Sequence, residues 1–446
     1  MVLPRPGLVA VSFAGEGIAL FHGAWLRDHC PSAVHPLTGQ RTVTALDLPP
    51  ALTPTAAERS EGGARVRLEW PGGHASTFSA AWLRRYAYWW AEGEVLPQWQ
   101  QPPPPEDAEA LTVAAWWRDA ARDASARAPW RAATFASGAA PLPAVPYSAF
   151  MSGQAGLRTA LRLLRDVGFV VVEGTPATEA ATEAACLRIG FLRPTLYSPG
   201  MWRTEVRPPE GGGVTDTAFT AAPLALHTDG NYLGEAPGLQ VFHCTRPDAR
   251  GGGDSLLLDG LALAEAVAAR DAAAFELLTL WPLPYHHTGS DGIVGASRPV
   301  FALDAAGRVE AVHYNSADRG PVMVTPSWAR ELALARALLG PAPSGAAAAL
   351  APREQLASPA TALPALYAAL AVLEECLADA ALTLRLPLRP GMMLVFDNTR
   401  VLHGRAGFDV ASGRTLVGCY LGKDEWSSRL RQLELEKEQC PGRGEE

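Results

Sequence analysis

The sequence predicts a protein of the α+β class, mainly β with added helices, that is divided into two domains. The chain has 446 residues, which is longer than a typical domain with a single hydrophobic core. Short runs of alternating apolar and polar residues occur in the first part of the chain, and such alternation is typical of half-buried strands. Stretches with helical spacing occur later, for example at residues 157–166.

Residues 1–99 are predicted to form a small β-rich N-terminal domain. Its strand-like runs are residues 8–13, 17–21, 65–70 and 74–78. Glycine, proline or polar residues bound each run, which is typical of short strands joined by turns. A helix is predicted to begin within residues 79–90.

Residues 100–146 are predicted to be a proline-rich linker that contains one helix, at residues 109–124. Residues 102–105 are all proline, and no regular element crosses such a run because proline lacks an N–H group and restricts φ. Residues 147–446 then form the second domain. It opens with the helix at 157–166 and a buried strand at 168–173.

Two longer helices are predicted within the second domain, at residues 265–278 and 364–381.

Composition excludes several classes of protein. The net charge of −8 is not that of a typical nucleic-acid-binding protein, which has a basic surface. No apolar run is long enough for a transmembrane helix. The six cysteines are scattered without a disulfide pattern, which fits a reducing compartment. No signal or transit peptide is recognisable, so we expect a cytoplasmic protein, or a mitochondrial one if the source is eukaryotic.

A candidate metal site begins at His227 and Asp229, which are two positions apart. In an extended segment, residues at this spacing point to the same side, so both side chains can reach one ion. A second imidazole would complete the ligand set of a non-haem Fe(II) oxygenase. The alternative is that both residues belong to a solvated loop.

The second imidazole is predicted to come from His403. Residues 391–404 comprise an apolar strand, an Asp-Asn turn and a second short strand that carries this histidine. The pattern favours a β-hairpin that points the imidazole inward. Three protein ligands would leave open positions on the metal for substrate and O2.

Arg414 is a candidate partner for an anionic co-substrate. It stands at the start of an apolar, strand-like run, and a buried arginine needs an anionic partner. A dicarboxylate could supply that partner through a bidentate pair. The alternative is an ordinary salt bridge at the surface or between the domains.

Several motifs, in this order, make the chain resemble the γ-butyrobetaine dioxygenase and trimethyllysine dioxygenase family of 2-oxoglutarate-dependent oxygenases. They are residues 25–30 (Trp-Leu-Arg-Asp-His-Cys), 190–197, 240–244 and 391–404. The resemblance covers nearly the whole chain. It implies a double-stranded β-helix (jelly-roll) catalytic domain and a homodimer.

The resemblance also implies the cofactors of the site. Fe(II) would be bound by His227, Asp229 and His403, with 2-oxoglutarate as co-substrate, O2 as oxidant and ascorbate as a supporting reductant. Arg414 and the Ser255 hydroxyl would bind the far carboxylate of 2-oxoglutarate. The glycines before Ser255 also indicate a tight loop. His243 is expected to be a core histidine rather than a support of the metal.

The small domain of this family binds zinc, so a second metal site is considered. Cys30 and His74 match two of the zinc ligands, and His35 could replace a cysteine because tetrahedral sites accept mixed ligands. Ser32 stands where a relative has cysteine and is not a normal zinc ligand. The alternative is a site that has lost its metal and is held by packing.

Both substrates of the family carry a trimethylammonium group, which donates no hydrogen bonds and is best held by aromatic faces. By resemblance the candidates are Tyr197, Trp202 and Phe219, and Phe219 replaces a tyrosine of the relatives. Each could equally be an ordinary core residue.

The two enzymes of the family differ in the end of the substrate opposite the trimethylammonium group. A carboxylate at Asp216 would pair with the α-ammonium of trimethyllysine and repel the carboxylate of γ-butyrobetaine. Asn315 is a candidate to bind the substrate carboxylate, or else a turn residue that caps its own backbone. Arg319 could bind the same group or brace the loop.

Residues 216–220 and 312–319 resemble the trimethyllysine dioxygenase version of these motifs. We therefore predict a hydroxylase that converts trimethyllysine to its 3-hydroxy derivative, as in carnitine biosynthesis. The alternatives are a γ-butyrobetaine dioxygenase, a hydroxylase of another small quaternary amine, and a non-catalytic metal-binding relative.

Overall fold

A computed structural model of the chain describes most of the region outside the central linker. The described residues are 7–13, 17–35, 41–87, 127–135, 140–196, 198–204, 218, 220–247, 252–289, 292–304, 307–322, 359–409 and 413–439. The prolines at 102–105 and the helix predicted at 109–124 lie outside these ranges.

The strands carry most of the architecture. In chain order they are β1 (Leu8–Phe13), β2 (Gly17–His22), β3 (Ala56–Ser60), β4 (Arg65–Glu69), β5 (Ala75–Ser79), β6 (Ala144–Pro146), β7 (Phe169–Glu173), β8 (Leu192–Arg193), β9 (Trp202–Thr204), β10 (Leu224–His227), β11 (Leu239–Arg246), β12 (Ser255–Asp259), β13 (Leu283–Gly289), β14 (Gly292–Arg298), β15 (Phe301–Leu303), β16 (Val309–Val312), β17 (Thr383–Leu386), β18 (Met392–Asp397), β19 (Val401–Arg405) and β20 (Thr415–Leu421).

Helices lie mostly outside the sheets. In chain order they are α1 (Gly23–Asp28), α2 (Ala80–Arg85), α3 (Ala132–Phe135), α4 (Tyr147–Ser152), α5 (Gln154–Val167), α6 (Glu179–Ile189), α7 (Gly260–Arg270), α8 (Ala272–Leu280), α9 (Pro359–Leu377) and α10 (Lys423–Gln439). Among the residues that the structure describes, every helix is too short or too polar to cross a membrane.

The two largest sheets lie in the second half of the molecule, which also contains the two-stranded sheets β13-β14 and β15-β16. The smaller has the order β10-β19-β12-β17, and the larger has the order β6-β7-β18-β11-β20-β8, with β9 also paired to β20. Only β6 and β7 pair in parallel among these strands. Such a pair of facing, mainly antiparallel sheets is the jelly-roll arrangement that the resemblance implied.

Alternation along the strands explains why the sheets stack. On β18, Leu394 and Phe396 pack against residues of the smaller sheet such as Leu257 and Val401. Met393, on the opposite face of β18, packs against the helices α5, α6 and α10. Side chains of a strand alternate between its faces, so β18 serves both cores.

The segment at residues 391–404 is not the hairpin that the sequence predicted. The strands β18 and β19 form where expected, but β18 pairs with β11 and β7 in the larger sheet. In contrast, β19 pairs with β10 and β12 in the smaller sheet. The turn at residues 398–400 therefore carries the chain from one sheet to the other.

The predicted helix at 265–278 is also wrong in its extent, because two helices occupy this region. The helix α7 ends at Arg270, and Asp271 adopts an extended conformation. The Asp271 carboxylate accepts hydrogen bonds from the Ala273 and Ala274 amides, so it caps the start of α8. The helix predicted at 364–381 is α9, shifted towards the N-terminus.

The N-terminal strands form two small sheets, β1-β2 and β3-β4-β5. Their side chains share a core with the helices of the second half: Phe21 and Trp25 belong to the same buried cluster as Leu278 and Tyr367. The N-terminal region is therefore packed directly onto the helices that flank the jelly roll.

Candidate metal and substrate site

His227, Asp229 and His403 converge in the structure. His227 is the last residue of β10, and it lies directly opposite His403 of β19 in the strand register. The imidazole centroids are 4.3 Å apart. The His227 Nε2 atom lies 3.1 Å from Asp229 Oδ1, and His403 Nε2 lies 3.7 Å from Asp229 Oδ2.

These three residues suit a divalent metal ion. One donor atom from each lies within 4.8 Å of the others, and this is the only such cluster of histidine, cysteine and acidic side chains in the described ranges. The His227 Nδ1–H group donates to the Ala225 carbonyl at 2.7 Å, which orients Nε2 toward the cluster. Two imidazoles and one carboxylate form the ligand set that suits Fe(II).

The carboxylate of Asp229 and the two imidazoles shift one another's pKa values. Burial opposes ionisation of Asp229, but the His403 and His227 imidazoles outweigh it and hold the pKa of Asp229 below its ordinary value. Burial likewise opposes protonation of His227, yet its bond to Asp229 raises the pKa of His227 to about 9. Burial and the neighbouring His227 lower the pKa of His403 to about 3.

Three polar residues hold Asp229 in place. Its Oδ2 atom accepts hydrogen bonds from Gln240 Nε2 at 2.6 Å and from the Tyr420 hydroxyl at 2.7 Å. Its backbone N–H donates to Asn398 Oδ1 at 2.9 Å, and Asn398 Nδ2 donates to the Asp229 carbonyl at 3.0 Å. The turn between the two sheets thereby fixes the position of the carboxylate ligand.

Sequence reasoning missed Gln240 and Tyr420 as parts of the site. They lie opposite each other in the register of β11 and β20. Gln240 is a polar residue between the apolar Leu239 and Val241 of β11, and that position was the available signal. The pairing of β11 with β20, which brings both residues to one oxygen atom, is not visible in the sequence.

Arg414 is buried just before β20 and lines the same cavity as the histidines. Its Nη2 atom donates to the Gly253 carbonyl at 2.8 Å, and its guanidinium lies 5.3 Å from the Phe408 ring centroid. Gly253 has φ of +66°, and a Cβ atom there would lie 2.7 Å from Arg414 Nε. The glycine loop therefore makes room for the arginine. Ser255, at the start of β12, lines the cavity as well.

A cavity of about 300 Å³ opens from the cluster between the two sheets. Trp202 and Tyr420 line one side, with ring centroids 5.6 Å apart, and Tyr232 and His287 line another at 5.3 Å. Trp202 was a predicted aromatic of the substrate site. Tyr232 was not predicted, because nothing in its local sequence sets it apart.

Of the other predicted substrate residues, Asn315 is buried on the cavity wall. Its Oδ1 atom accepts from the Ala317 amide at 3.0 Å, which is the turn-capping arrangement considered as the alternative. Its Nδ2 atom donates to Asp318 Oδ2 at 2.7 Å. Tyr197, Asp216 and Phe219 lie outside the described residues.

Arg319 does not face the cavity as a carboxylate partner. It is fully buried, and its Nη2 atom donates to Asp28 Oδ1 at 2.9 Å. The structure thus supports the bracing role that the sequence left open. His243 is likewise a buried core residue, bonded through Nδ1 to the Thr182 hydroxyl at 2.8 Å.

The predicted zinc ligands come together only in part. Cys30 Sγ lies 3.2 Å from His74 Nε2 and 3.0 Å from the Ser32 hydroxyl. His35 does not join Cys30 and His74 in a metal-binding cluster among the described residues. A thiol, an imidazole and a hydroxyl that bond one another do not provide the ligand set of a structural zinc site.

Two family models match the chain. The model described as "Taurine catabolism dioxygenase TauD, TfdA family" matches residues 131–420, which is more than half of the chain. The model described as "Gamma-butyrobetaine hydroxylase-like, N-terminal" matches residues 4–84.

Relatives match over nearly the full length. The chain is 30% identical to a gamma-butyrobetaine dioxygenase of Pseudomonas sp. (strain AK-1), over 96% of this chain and 94% of that protein. It is 26% identical to a trimethyllysine dioxygenase of Meyerozyma guilliermondii, over 96% of this chain and 94% of that protein. It is 28% identical to the mitochondrial trimethyllysine dioxygenase of Homo sapiens, over 93% of this chain and 83% of that protein. With the His-Asp-His cluster, these matches show that the chain belongs to the TauD, TfdA family and is an iron- and 2-oxoglutarate-dependent dioxygenase.

Proposed function

We propose that this chain hydroxylates trimethyllysine at C3, with 2-oxoglutarate and O2 as co-substrates. The observation that carries the proposal is the cavity, whose walls combine the His-Asp-His cluster with aromatic faces and polar groups. The number of trimethyllysine dioxygenases among the relatives supports it.

His227, Asp229 and His403 would hold Fe(II), and Arg414 with Ser255 would hold 2-oxoglutarate. Iron bound there with 2-oxoglutarate and O2 supplies the oxidising power that replaces a C–H bond with C–OH, while 2-oxoglutarate leaves as succinate and CO2. Arg414 contributes a fixed positive charge for the far carboxylate, and a guanidinium suits such a group because its donors form a planar fork.

Aromatic faces in the cavity would hold the quaternary ammonium. Trp202, Tyr232 and Tyr420 offer these faces, and a trimethylammonium group is attracted to the negative face of a ring. Tyr420 also donates its hydroxyl to Asp229. It therefore places an aromatic surface next to the metal ligands. This position suits a substrate whose hydroxylated carbon lies only a few bonds from its cationic group. Tyr197 and Phe219 remain proposed members of this cage.

The choice of trimethyllysine over γ-butyrobetaine depends on the other end of the substrate. Asp216 is proposed to pair with the α-ammonium, and Asn315 to bind the carboxylate. The second candidate is a γ-butyrobetaine dioxygenase, which the Pseudomonas relative at 30% identity favours.

We also propose that residues 1–99, 100–146 and 147–446 are the domain units, and that the enzyme is a homodimer. The shared core of Trp25 and Tyr367 indicates that the first unit is a fixed part of the enzyme rather than a tethered module. A cytoplasmic or mitochondrial site of action remains a prediction.

The test is succinate release from 2-oxoglutarate in the presence of Fe(II) and ascorbate, with trimethyllysine, γ-butyrobetaine and free lysine compared at equal concentration. Stimulation by trimethyllysine well above the other two is expected. Stimulation by γ-butyrobetaine alone would replace the proposal with the second candidate. No stimulation by any of the three would favour another quaternary amine as the substrate.

A further inference from the structure

We propose that Asp318 and Arg41 form a charged subsite in the cavity that recognises the ammonium and the carboxylate of an α-amino acid. The inference deepens the proposed function and rests on it, because it names the residues that select an amino acid over a simple carboxylic acid. Asp318 would share the α-ammonium with Asp216, and Arg41 would share the α-carboxylate with Asn315, the two residues already proposed for these groups.

Asp318 brings a negative charge to the cavity wall. It belongs to a loop, residues 313–319, that follows β16, and it is half-buried there. One carboxylate oxygen accepts a hydrogen bond from Asn315 Nδ2 at 2.7 Å, which orients the group. A half-buried carboxylate on a cavity wall interacts strongly with a cation because little water screens it.

Arg41 brings a positive charge to the same wall from the N-terminal region. Its side chain is only 9% exposed, and it lines the cavity together with the following residues 42–44. Its guanidinium donates to the Asp28 side chain and backbone through Nη2. The Nε atom has no hydrogen-bond partner among the described residues. A buried donor of this kind is costly unless a ligand satisfies it.

A main-chain bond links Arg41 to the loop that carries Asp318. The Arg41 amide donates to the Ala317 carbonyl at 3.1 Å, so Arg41 lies beside the residue that precedes Asp318. The N-terminal region and the loop at 313–319 therefore form one continuous wall. Residues of opposite charge, Asp318 and Arg41, thus both line this wall of the cavity.

The loop is also tied to the metal ligands. The Thr228 amide donates to the Tyr314 carbonyl at 2.8 Å, and the Tyr314 amide donates to the Thr228 hydroxyl at 3.0 Å. Thr228 separates His227 from Asp229 in sequence. The subsite is thus held at a fixed position relative to the metal site, as regioselective oxidation of a bound amino acid requires.

The chemistry of the two substrates distinguishes this subsite from a simple anion site. The ammonium of an α-amino acid attracts Asp318 and its carboxylate attracts Arg41, whereas a substrate with only a carboxylate brings a like charge towards Asp318 with no ammonium to offset it. The pair would therefore favour trimethyllysine over an analogue that lacks only the α-amino group.

The test compares Asp318→Asn with the wild type on trimethyllysine and on 6-(trimethylammonio)hexanoate, which is trimethyllysine without its α-amino group. We expect Asp318→Asn to lower kcat/KM for trimethyllysine about tenfold or more, which is the range for loss of a charge-assisted bond. The kcat/KM for the analogue should change much less. The preference for trimethyllysine over the analogue should therefore be smaller in the variant than in the wild type. Glu310→Gln is the matched control, because Glu310 is on β16 and pairs with Lys423 at the surface.

Arg41→Gln supplies the second arm. We expect it to raise KM for trimethyllysine and for the analogue by similar factors, because both carry the carboxylate. The methyl ester of trimethyllysine should be affected less. An unchanged KM for 2-oxoglutarate would show that the variant keeps an intact iron site, and Asp216→Asn in parallel shows whether that residue shares the ammonium.

The outcomes separate the inference from the proposed function. Equal losses on trimethyllysine and the analogue in Asp318→Asn, or no loss on either, would overturn the inference alone. A wild-type enzyme that oxidises γ-butyrobetaine but not trimethyllysine would overturn the proposed function and the inference together. The subsite is supported if Asp318→Asn reduces the preference for trimethyllysine over the analogue and Glu310→Gln leaves that preference unchanged.

Discussion

Arg319 donates a hydrogen bond to Asp28 across 2.9 Å, although 291 positions separate the two residues in the chain. Both side chains are almost completely buried, with exposures of 0% and 1%. Burial opposes ionisation of Asp28, but Arg319 and Arg41 outweigh it and hold the pKa of Asp28 below its ordinary value. The pair joins the N-terminal region to the loop that lines the substrate cavity.

Asp28→Asn should destabilise the protein, because it leaves Arg319 buried without its counter-charge. Removal of one partner of a buried ion pair costs about 3–5 kcal/mol. Urea unfolding monitored by tryptophan fluorescence measures the change. Glu61→Gln is the control: it removes the Arg65–Glu61 pair, whose side chains are 53% and 62% exposed, and should cost at most about 1 kcal/mol. Equal losses in the two variants would show that the buried pair has no special role.

Acid should loosen the same junction through His29. Its Nδ1–H group donates to the Trp25 carbonyl at 2.7 Å, and its Nε2 atom accepts from the Val322 amide at 3.0 Å, so the imidazole is held neutral. Burial lowers the pKa of His29 from 6.5 to about 3. Between these values the unfolded chain binds a proton that the folded chain excludes.

Stability should therefore fall as the pH decreases from 6.5 to about 3, by at most about 1.4 kcal/mol per pH unit from this group. The midpoint of urea unfolding, measured across this range, should fall less steeply in His29→Gln than in the wild type. Parallel curves for the two proteins would exclude His29 as the source.

Tyr420→Phe should weaken the binding of Fe(II). The substitution removes the hydroxyl that donates to Asp229 Oδ2 at 2.7 Å, while it keeps the aromatic ring. Loss of a group that orients a metal ligand typically costs 10–100-fold in metal affinity, and we expect the lower end, about tenfold, because Gln240 also bonds this oxygen. Equilibrium dialysis under anaerobic conditions measures it. Tyr285→Phe, which removes a hydroxyl bonded to the His313 carbonyl, should leave the affinity unchanged.

Arg414→Gln should raise KM for 2-oxoglutarate about tenfold or more, because a charge-assisted bond to the co-substrate is lost. Fe(II) affinity should not change, because Arg414 is not a ligand. Arg385→Gln is the control, since Arg385 is 64% exposed and pairs with Asp254. An Arg414→Gln enzyme with a normal KM would assign the far carboxylate of 2-oxoglutarate to another residue.

The metal ligands could be predicted because their chemistry is restrictive and their motifs are local. Extended geometry suggested the pair His227 and Asp229 from its spacing, although β10 ends at His227 and Asp229 lies in the bend that follows. The apolar run of β18 and the short run that carries His403 also identify strands. Such runs do not specify the partner of a strand, and this is why β18 and β19 were predicted to pair with each other rather than with strands of different sheets.

The walls of the cavity could not be predicted for a related reason. The segment of Arg41 meets the loop of Asp318 through a main-chain bond from Arg41 to Ala317, and no local pattern indicates this contact between distant segments. Similarly, Gln240 and Tyr420 reach one carboxylate only because of the register of two strands. Asp271 is a different case, since an aspartate is a recognised helix cap and could have divided the predicted helix at 265–278.

The most direct test of the central claim is mass analysis of trimethyllysine after incubation with the enzyme, Fe(II), 2-oxoglutarate and isotopically heavy O2. We expect a product with one heavy oxygen atom at C3, formed in equal amount to succinate. Succinate without a modified trimethyllysine, or modification of γ-butyrobetaine instead, would contradict the proposal.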